Sequence, residues 1–287
     1  MSKTNRSELR GRIPRVITNL PDFRVVAHCG TDVGRRREVN EDSFLILPRN
    51  NIWIVADGMG GHAGGQVAST ITVETVARAL LRRLPQAEEK ARNENGEVNV
   101  AEVLEASVKE ACAAVFDMAR RQPELTGMGS TVTVMLVYGS NAWFGHVGDS
   151  RAYLVRDGDI CQVTEDHSLV QEQVAAGLIT PEQAKSSLIR NIITRSIGFE
   201  REVEVDTAAV PLQRGDKFLL CSDGLTGHLD DDEILDIMDS LNRRTVPDYL
   251  VDVANSRGGE DNTTVVMTEV IGRRGRQRDK RRKSTSA

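Results

Sequence analysis

Ile52-Trp53-Ile54-Val55-Ala56-Asp57-Gly58-Met59-Gly60-Gly61-His62-Ala63-Gly64-Gly65 is an apolar run that ends in an aspartate and then a glycine-dense turn. The run reads as a buried strand and Gln66 to Leu84 as a helix, so Asp57 falls where the backbone turns sharply. An acid is costly at that point. Asp disfavours strands, and a carboxylate beside an apolar layer needs a cation or hydrogen bonds. The glycines beyond it remove the Cβ atoms that would keep backbone carbonyls and a ligand apart.

Two phosphate-loop readings fail. Gly58-Met59-Gly60-Gly61-His62-Ala63 fits G-x-G-x-x-A between a strand and a helix. Asp57, however, would set negative charge beside a pyrophosphate, and about 20 residues on the chain is still helical instead of ending a second strand in an acid. A Walker loop is excluded because no lysine followed by Ser or Thr is present in the stretch.

The same construction recurs. Lys217-Phe218-Leu219-Leu220-Cys221-Ser222-Asp223-Gly224 is again an apolar run, an aspartate and a glycine, and Ala142 to Ser150, with Asp149, is a looser copy. Asn40-Glu41-Asp42 precedes the apolar Ser43 to Leu47, and Glu260-Asp261-Asn262 precedes Thr263 to Met267. In antiparallel sheets the finish of one strand lies beside the start of its neighbour, so acids after some strands and before others can gather at one rim.

With 287 residues, 39% hydrophobic content and a formal net charge of -5, the chain reads as soluble and globular, with one large domain or two small ones. No apolar run approaches the roughly 18 residues of a membrane helix, and the polar N-terminus lacks a signal-peptide core, so a cytoplasmic location is expected. Cys29, Cys112, Cys161 and Cys221 form no C-x-x-C pair and read as reduced core or near-core thiols. Residues 1–23 read as a leader, 24–271 as the folded domain, and 272–287 as a basic tail expected to be disordered.

Within the domain, strands are expected at Val25 to Cys29, Ser43 to Leu47, Ile52 to Ala56, Thr131 to Tyr138, Asn141 to Val147, Arg151 to Val155, Asn191 to Ile197, Glu202 to Val210, Asp216 to Cys221 and Thr263 to Val270. Val73, Val76, Ala77, Leu80 and Leu84 give one amphipathic helix, Leu104 to Ala119 a second, and Leu229 to Leu241 and Val246 to Ser256 two more. Pro85 to Asn99 reads as a linker, and the first two helices as a layer covering one face of a sheet. His28 and His146 read as packed core residues, and His167 and His228 as surface or supporting ones.

Aspartates without accompanying Cys or His make an oxygen-only ligand set, suited to Mg²⁺ or Mn²⁺. Two such cations sharing a carboxylate can activate a water and offset charge building on a phosphoryl group. In order and spacing, Asn40-Glu41-Asp42-Ser43, Ala56-Asp57-Gly58-Met59-Gly60-Gly61-His62, Gly148-Asp149-Ser150-Arg151, Cys221-Ser222-Asp223-Gly224-Leu225 and Glu260-Asp261-Asn262 resemble the motif series of the metal-dependent protein phosphatases. This is the PPM family, the protein phosphatase type 2C class. The likeness runs from about Val25 to Val270, and the Met-Gly-Gly-His form of the central loop resembles the bacterial branch.

The resemblance implies an α+β fold, a four-layer αββα sandwich of two antiparallel β-sheets flanked by helices, with two Mn²⁺ or Mg²⁺ ions at one end. It implies that Asp57 bridges the ions, that the Gly58 carbonyl joins one, that Asp223 and Asp261 bind the other, and that Glu41 and Asp42 act through waters. Asp149 with Asp223 matches a weaker third position. Arg37, five residues before Asp42, matches the phosphate-binding arginine, and His62 the general acid. The implied activity is hydrolysis of phosphoserine and phosphothreonine by a metal-bridging water, on phosphorylated proteins that are targets of a serine/threonine kinase or the kinase itself. A monomer without a nucleic-acid partner is expected. Two other readings stand beside it: a catalytically silent scaffold, and binding of nucleic acid or acidic membrane through Arg273 to Lys283. Plainer readings are capped turns for Asp57 and Asp223, the start of a turn for Asp261, a hairpin acid for Asp149, a structural role for His62, and for Arg37 part of a solvated run with Arg35 and Arg36. The polar stretch Asp166 to Arg190 reads as a flap over the site. Exchanging it for an unrelated loop is expected to change the ranking of phosphopeptides by kcat/KM; an unchanged ranking would remove that role.

Overall fold

Ile52–Ala56 is a strand buried on both faces, and its alternation sets the layering. Ile52, Ile54 and Ala56 pack under helices, whereas Trp53 and Val55 face a second sheet. A computed structural model describes residues 23–60, 64–185 and 187–272. In chain order the strands are β1 (Phe23–Asp32), β2 (Ser43–Leu47), β3 (Ile52–Ala56), β4 (Gly58–Met59), β5 (Gly129–Ser130), β6 (Val132–Tyr138), β7 (Asn141–Val147), β8 (Arg151–Arg156), β9 (Asp159–Gln162), β10 (Asp206–Pro211), β11 (Lys217–Cys221) and β12 (Thr263–Gly272). The helices are α1 (Gly64–Glu94), α2 (Val100–Arg121), α3 (Leu169–Ala175), α4 (Pro181–Lys185), α5 (Asp223–Thr226), α6 (Asp231–Ser240) and α7 (Val246–Ser256).

Two antiparallel five-stranded sheets, ordered β10-β7-β6-β3-β2 and β1-β12-β11-β8-β9, lie face to face. Three apolar layers hold them. Leu80, Leu84, Leu104 and Val108 of α1 and α2 cover the first sheet, and Ile234, Met238, Leu250 and Ala254 of α6 and α7 cover the second. Between the sheets lie Trp53, Val55, Met135, Phe144, Phe218 and Val266, with the Phe144 and Phe218 rings tilted at 5.7 Å. This is the expected αββα sandwich.

Several local expectations are corrected. Helix α1 continues through Pro85 to Glu94 where a linker was expected. Its packing outweighs the lost hydrogen bond at proline: Leu81, Leu84 and Ala87 join the core, and Arg82 and Arg83 both bind Glu110 of α2. Residues 191–197 form only isolated bridges, at Ile193 and Ile197, because their backbone meets two separated partners, Ser168 and Ser130, in place of one continuous strand. Strand β9 was not expected, and β10 starts at Asp206, not Glu202. Cys112 and Cys221 are buried, but Cys29 and Cys161 are exposed on strands at or near the edges of their sheet. His28 is only partly buried, beside Arg243, Arg244 and Glu269, and His167 is buried, not at the surface. Gly272 belongs to β12, not to the tail. No helix among the described residues is long and apolar enough to cross a membrane.

His146, on β7, is 1% exposed, with Nε2 3.1 Å from the Glu165 carbonyl and Nδ1 3.0 Å from Thr133 Oγ1. Burial, reinforced by the neighbouring His167, pushes its pKa down to about 4 from 6.5. The unfolded chain therefore takes up this proton first. The stability tied to neutral His146 is complete above the unfolded value and drains away as pH falls toward the folded one. Relative to His146→Gln, the parent is expected to lose roughly 3 kcal/mol between neutral pH and about pH 4, read by denaturant unfolding at each pH.

Candidate active site

Strand register gathers the acids. Ser43 pairs with Ala56, which sets Asp42 beside Asp57. Val55 pairs with Thr133 and Val132 with Val147, which brings the Gly148-Asp149 loop to the same end. In the other sheet Cys221 pairs with both Arg151 and Val265, and Asp32 with Thr263, so Asp223 and Asp261 arrive at the facing rim. A cavity of about 680 Å³ is lined by Arg37, Glu41, Asp57, Gly58, Asp149, Asp223 and Asp261, together with Val39, Met59, Asn191 and Ile193. A second cavity of about 520 Å³, beneath α3 and α4, shares Asp149, Asn191 and Asp223 with it. The larger cavity of about 810 Å³ by Tyr138 and Trp143 has none of these acids in its lining.

The backbone of Asp57 is fixed from three directions. Its N–H donates to Thr131 Oγ1 at 2.9 Å, and its carbonyl accepts from Thr131 N–H at 2.8 Å and Ser130 Oγ at 3.0 Å. A Cβ on Gly58 would collide with the Gly65 carbonyl, so only glycine lets the loop pass α1 at this distance. Glu41 lies against the Gly65 N–H in the first turn of α1. Asp42, 9% exposed, accepts from Ser222 Oγ at 2.7 Å. Asn262 staples the approach to β2: its Oδ1 accepts from Glu41 N–H at 2.7 Å, and its Nδ2 donates to the Val33 and Val39 carbonyls. Arg37 Nη2 donates to Asp261 Oδ2 at 2.7 Å, where both side chains are substantially exposed.

Electrostatics mark the rim as deficient in positive charge. Burial, then the charges of Asp42 and Asp223, raise Asp57 well above the carboxylate range, although part of its surface opens to the cavity. Burial lifts Asp42 to about 7 and, with Asp223 adding repulsion, Asp149 to about 8. Asp223 and Glu41 are raised by the same desolvation. Asp57 and Asp223 line the same cavity and perturb each other's ionisation, so a proton or a cation shared between them would relieve the rim.

Asp42 Oδ1, Asp223 Oδ1 and Glu41 Oε1 are buried without a hydrogen-bond partner. Unsatisfied carboxylate oxygens at and just behind the wall of one cavity, with no thiol or imidazole among the described residues of its lining, fit hard divalent cations. Among the described residues the acids line the wall without three of them closing into a ready-made cage. His62 lies outside the described residues. Sequence reading gave Thr131 no role and left Ser222 and Asn262 without one; the last two were signalled only by their place within the acidic motifs, and Thr131 had no signal.

A family model for protein phosphatase 2C matches residues 29–264. The chain belongs to the protein phosphatase 2C family. It is 40% identical over 248 residues to the serine/threonine phosphatase stp of Listeria welshimeri, covering 83% of this chain and 93% of that one. It is 37% identical over 241 residues to the serine/threonine protein phosphatase PstP of Mycobacterium tuberculosis, covering 84% of this chain and 44% of that one. The crystal structure of the Mycobacterium tuberculosis phosphatase PstP/Ppp superimposes with a TM-score of 0.75 at 36% identity, covering 86% and 98% of the two chains. A structure of the PstP catalytic domain in complex with two manganese ions gives a TM-score of 0.73 at 33% identity, covering 87% and 99%.

In this phosphatase 2C domain Thr131 is the residue whose loss most directly frees the central loop, since its hydroxyl serves both Asp57 N–H and Ser150 Oγ. Thr131→Val is expected to leave the buried N–H unsatisfied and to lower stability by about 1–3 kcal/mol, read from the urea midpoint.

Proposed function

We propose that this chain is a metal-dependent protein serine/threonine phosphatase that hydrolyses phosphoserine and phosphothreonine. The observation that carries it is the set of desolvated carboxylates around one cavity that Arg37 also lines, with unsatisfied oxygens on Glu41 and Asp223 in its wall and on Asp42, next in the chain to Glu41. Family membership and the two-manganese relative support the same reading.

Asp57, the Gly58 carbonyl, Asp223 and Asp261 would hold two Mn²⁺ or Mg²⁺ ions, with Asp57 common to both. Glu41 and Asp42 would support the ions through waters, and Asp149 with Asp223 would serve a third, weaker ion. The bound cations supply the Lewis acidity that activates water and offsets charge on the phosphate. Arg37 presents a planar fork to two phosphate oxygens, a geometry lysine lacks. Its ion pair with Asp261 keeps that fork at the cavity mouth. Val39, Met59 and Ile193 supply the apolar wall for the aliphatic part of the substrate residue. His62 protonates the departing serine or threonine oxygen. The substrates are phosphorylated proteins, targets of a serine/threonine kinase or the kinase itself, and the enzyme works as a cytoplasmic monomer.

Phosphate release from phosphopeptides is expected to require added Mn²⁺ or Mg²⁺ and to fall at least about a hundredfold in Asp57→Asn and Asp223→Asn. Arg37→Ala is expected to lower kcat/KM roughly tenfold or more. Because an aryl phosphate has a good leaving group, His62→Gln should slow phosphoserine hydrolysis by about 10² or more and aryl phosphate hydrolysis far less. Metal-independent release, or equal losses on both substrate types, would contradict the respective role.

A further inference from the structure

His167 sits at a junction that the reaction as described does not use. It is 4% exposed, and every polar atom it has is engaged. The Gly148 N–H donates to its Nδ1 at 3.0 Å, so the ring proton resides on Nε2 and points to Asp206 Oδ2 at 3.1 Å. Its backbone N–H donates to the Gly148 carbonyl at 2.8 Å, and its own carbonyl accepts from Thr194 N–H at 2.9 Å. One residue therefore grips both polar groups of Gly148, the return of the flap at Thr194, and β10 at Asp206. Arg195 closes the circuit by donating to Asp206 Oδ1 at 2.8 Å.

Gly148 has no freedom to compensate. Its φ is +112°, and a Cβ there would lie 2.6 Å from the Thr131 side chain, the same residue that fixes Asp57. Next in the chain is Asp149, 8% exposed and lining both the catalytic cavity and the cavity beneath the flap. His167 lies at the start of the flap, where Ser168 is bridged to Ile193 and Leu169 N–H donates to the Ile192 carbonyl at 2.8 Å.

We infer that His167 is a positioning residue that clamps the Asp149 loop to the root of the flap, so that the carboxylate of Asp149 and the segment 192–194 that follows the flap are held in one fixed relation. Without the ring, the Gly148 N–H loses its acceptor among the described residues, and the loop keeps only the backbone bond from His167 N–H to the Gly148 carbonyl and its close approach to Thr131. The consequence for metal dependence rests on Asp149 being a ligand, as proposed above; the clamp itself does not.

The two ring nitrogens can be tested separately, because an Asn amide oxygen can replace the acceptor Nδ1 and a Gln amide nitrogen the donor Nε2. In the metal-free full chain, hydrogen–deuterium exchange at Gly148 and Asp149 is expected to be about five- to tenfold faster in His167→Gln than in the parent, and to be restored in His167→Asn. The Mn²⁺ concentration for half-maximal phosphopeptide hydrolysis should rise by a similar factor in His167→Gln and return in His167→Asn. Identical exchange in the two variants, or a uniform increase across both sheets, would overturn the clamp. If Asp149→Asn leaves the Mn²⁺ dependence unchanged while the exchange contrast persists, the clamp stands and the assignment of Asp149 as a ligand is what fails.

Discussion

Carboxylates that share a desolvated rim repel one another, and the rest of the molecule is arranged to hold them there regardless. Asp42, Asp57, Asp149 and Asp223 are each pushed toward the neutral acid by burial and by the charge of neighbouring acids, Asp261 among them. Left alone, such a cluster would open the end of the sandwich. Divalent cations remove the penalty, because each replaces repulsion by attraction at several oxygens at once. The site is therefore one in which the demands of stability and of chemistry converge on the same ligand.

Holding the rim takes three apolar layers. Strands β3, β6, β11 and β12 are buried on both faces, so their ends cannot slide by one residue without turning a whole helix-facing set toward the other sheet. That constraint is transmitted to the loops by short polar ties: Thr131 to Asp57, Ser222 to Asp42, Asn262 to Glu41. Gly58 and Gly148 matter for the complementary reason, since at both positions backbone or side-chain atoms occupy the place a Cβ would need.

Much of this was legible in the chain. Alternating apolar runs that stop at an acid and a glycine located β3 and β11, and Val246–Ser256 and Asn141–Val147 match their expected bounds to the residue, because each presents a clean period against turn residues. The acids at Asp57, Asp149, Asp223 and Asp261 were readable for the same reason: a charged side chain at the mouth of a buried strand violates the local rule. What escaped was decided by partners far along the chain. Pro85 falls inside α1 because α2 and the core grip the helix on either side of it, and His167 could be read no further than as a surface or supporting residue because its partner atoms lie on Gly148, Thr194 and Asp206.

The sequence by itself determined where the strands end in acids, which ligand chemistry those acids favour and, through the order of the motifs, the family. Those properties are local or cumulative along the chain, and periodicity and residue type carry them. Only the tertiary structure decided which acids face one another: Asp42 meets Ser222 across 180 residues and Arg37 meets Asp261 across 224. Such contacts follow from strand register, and register is fixed by pairing between distant segments whose burial pattern admits one alignment.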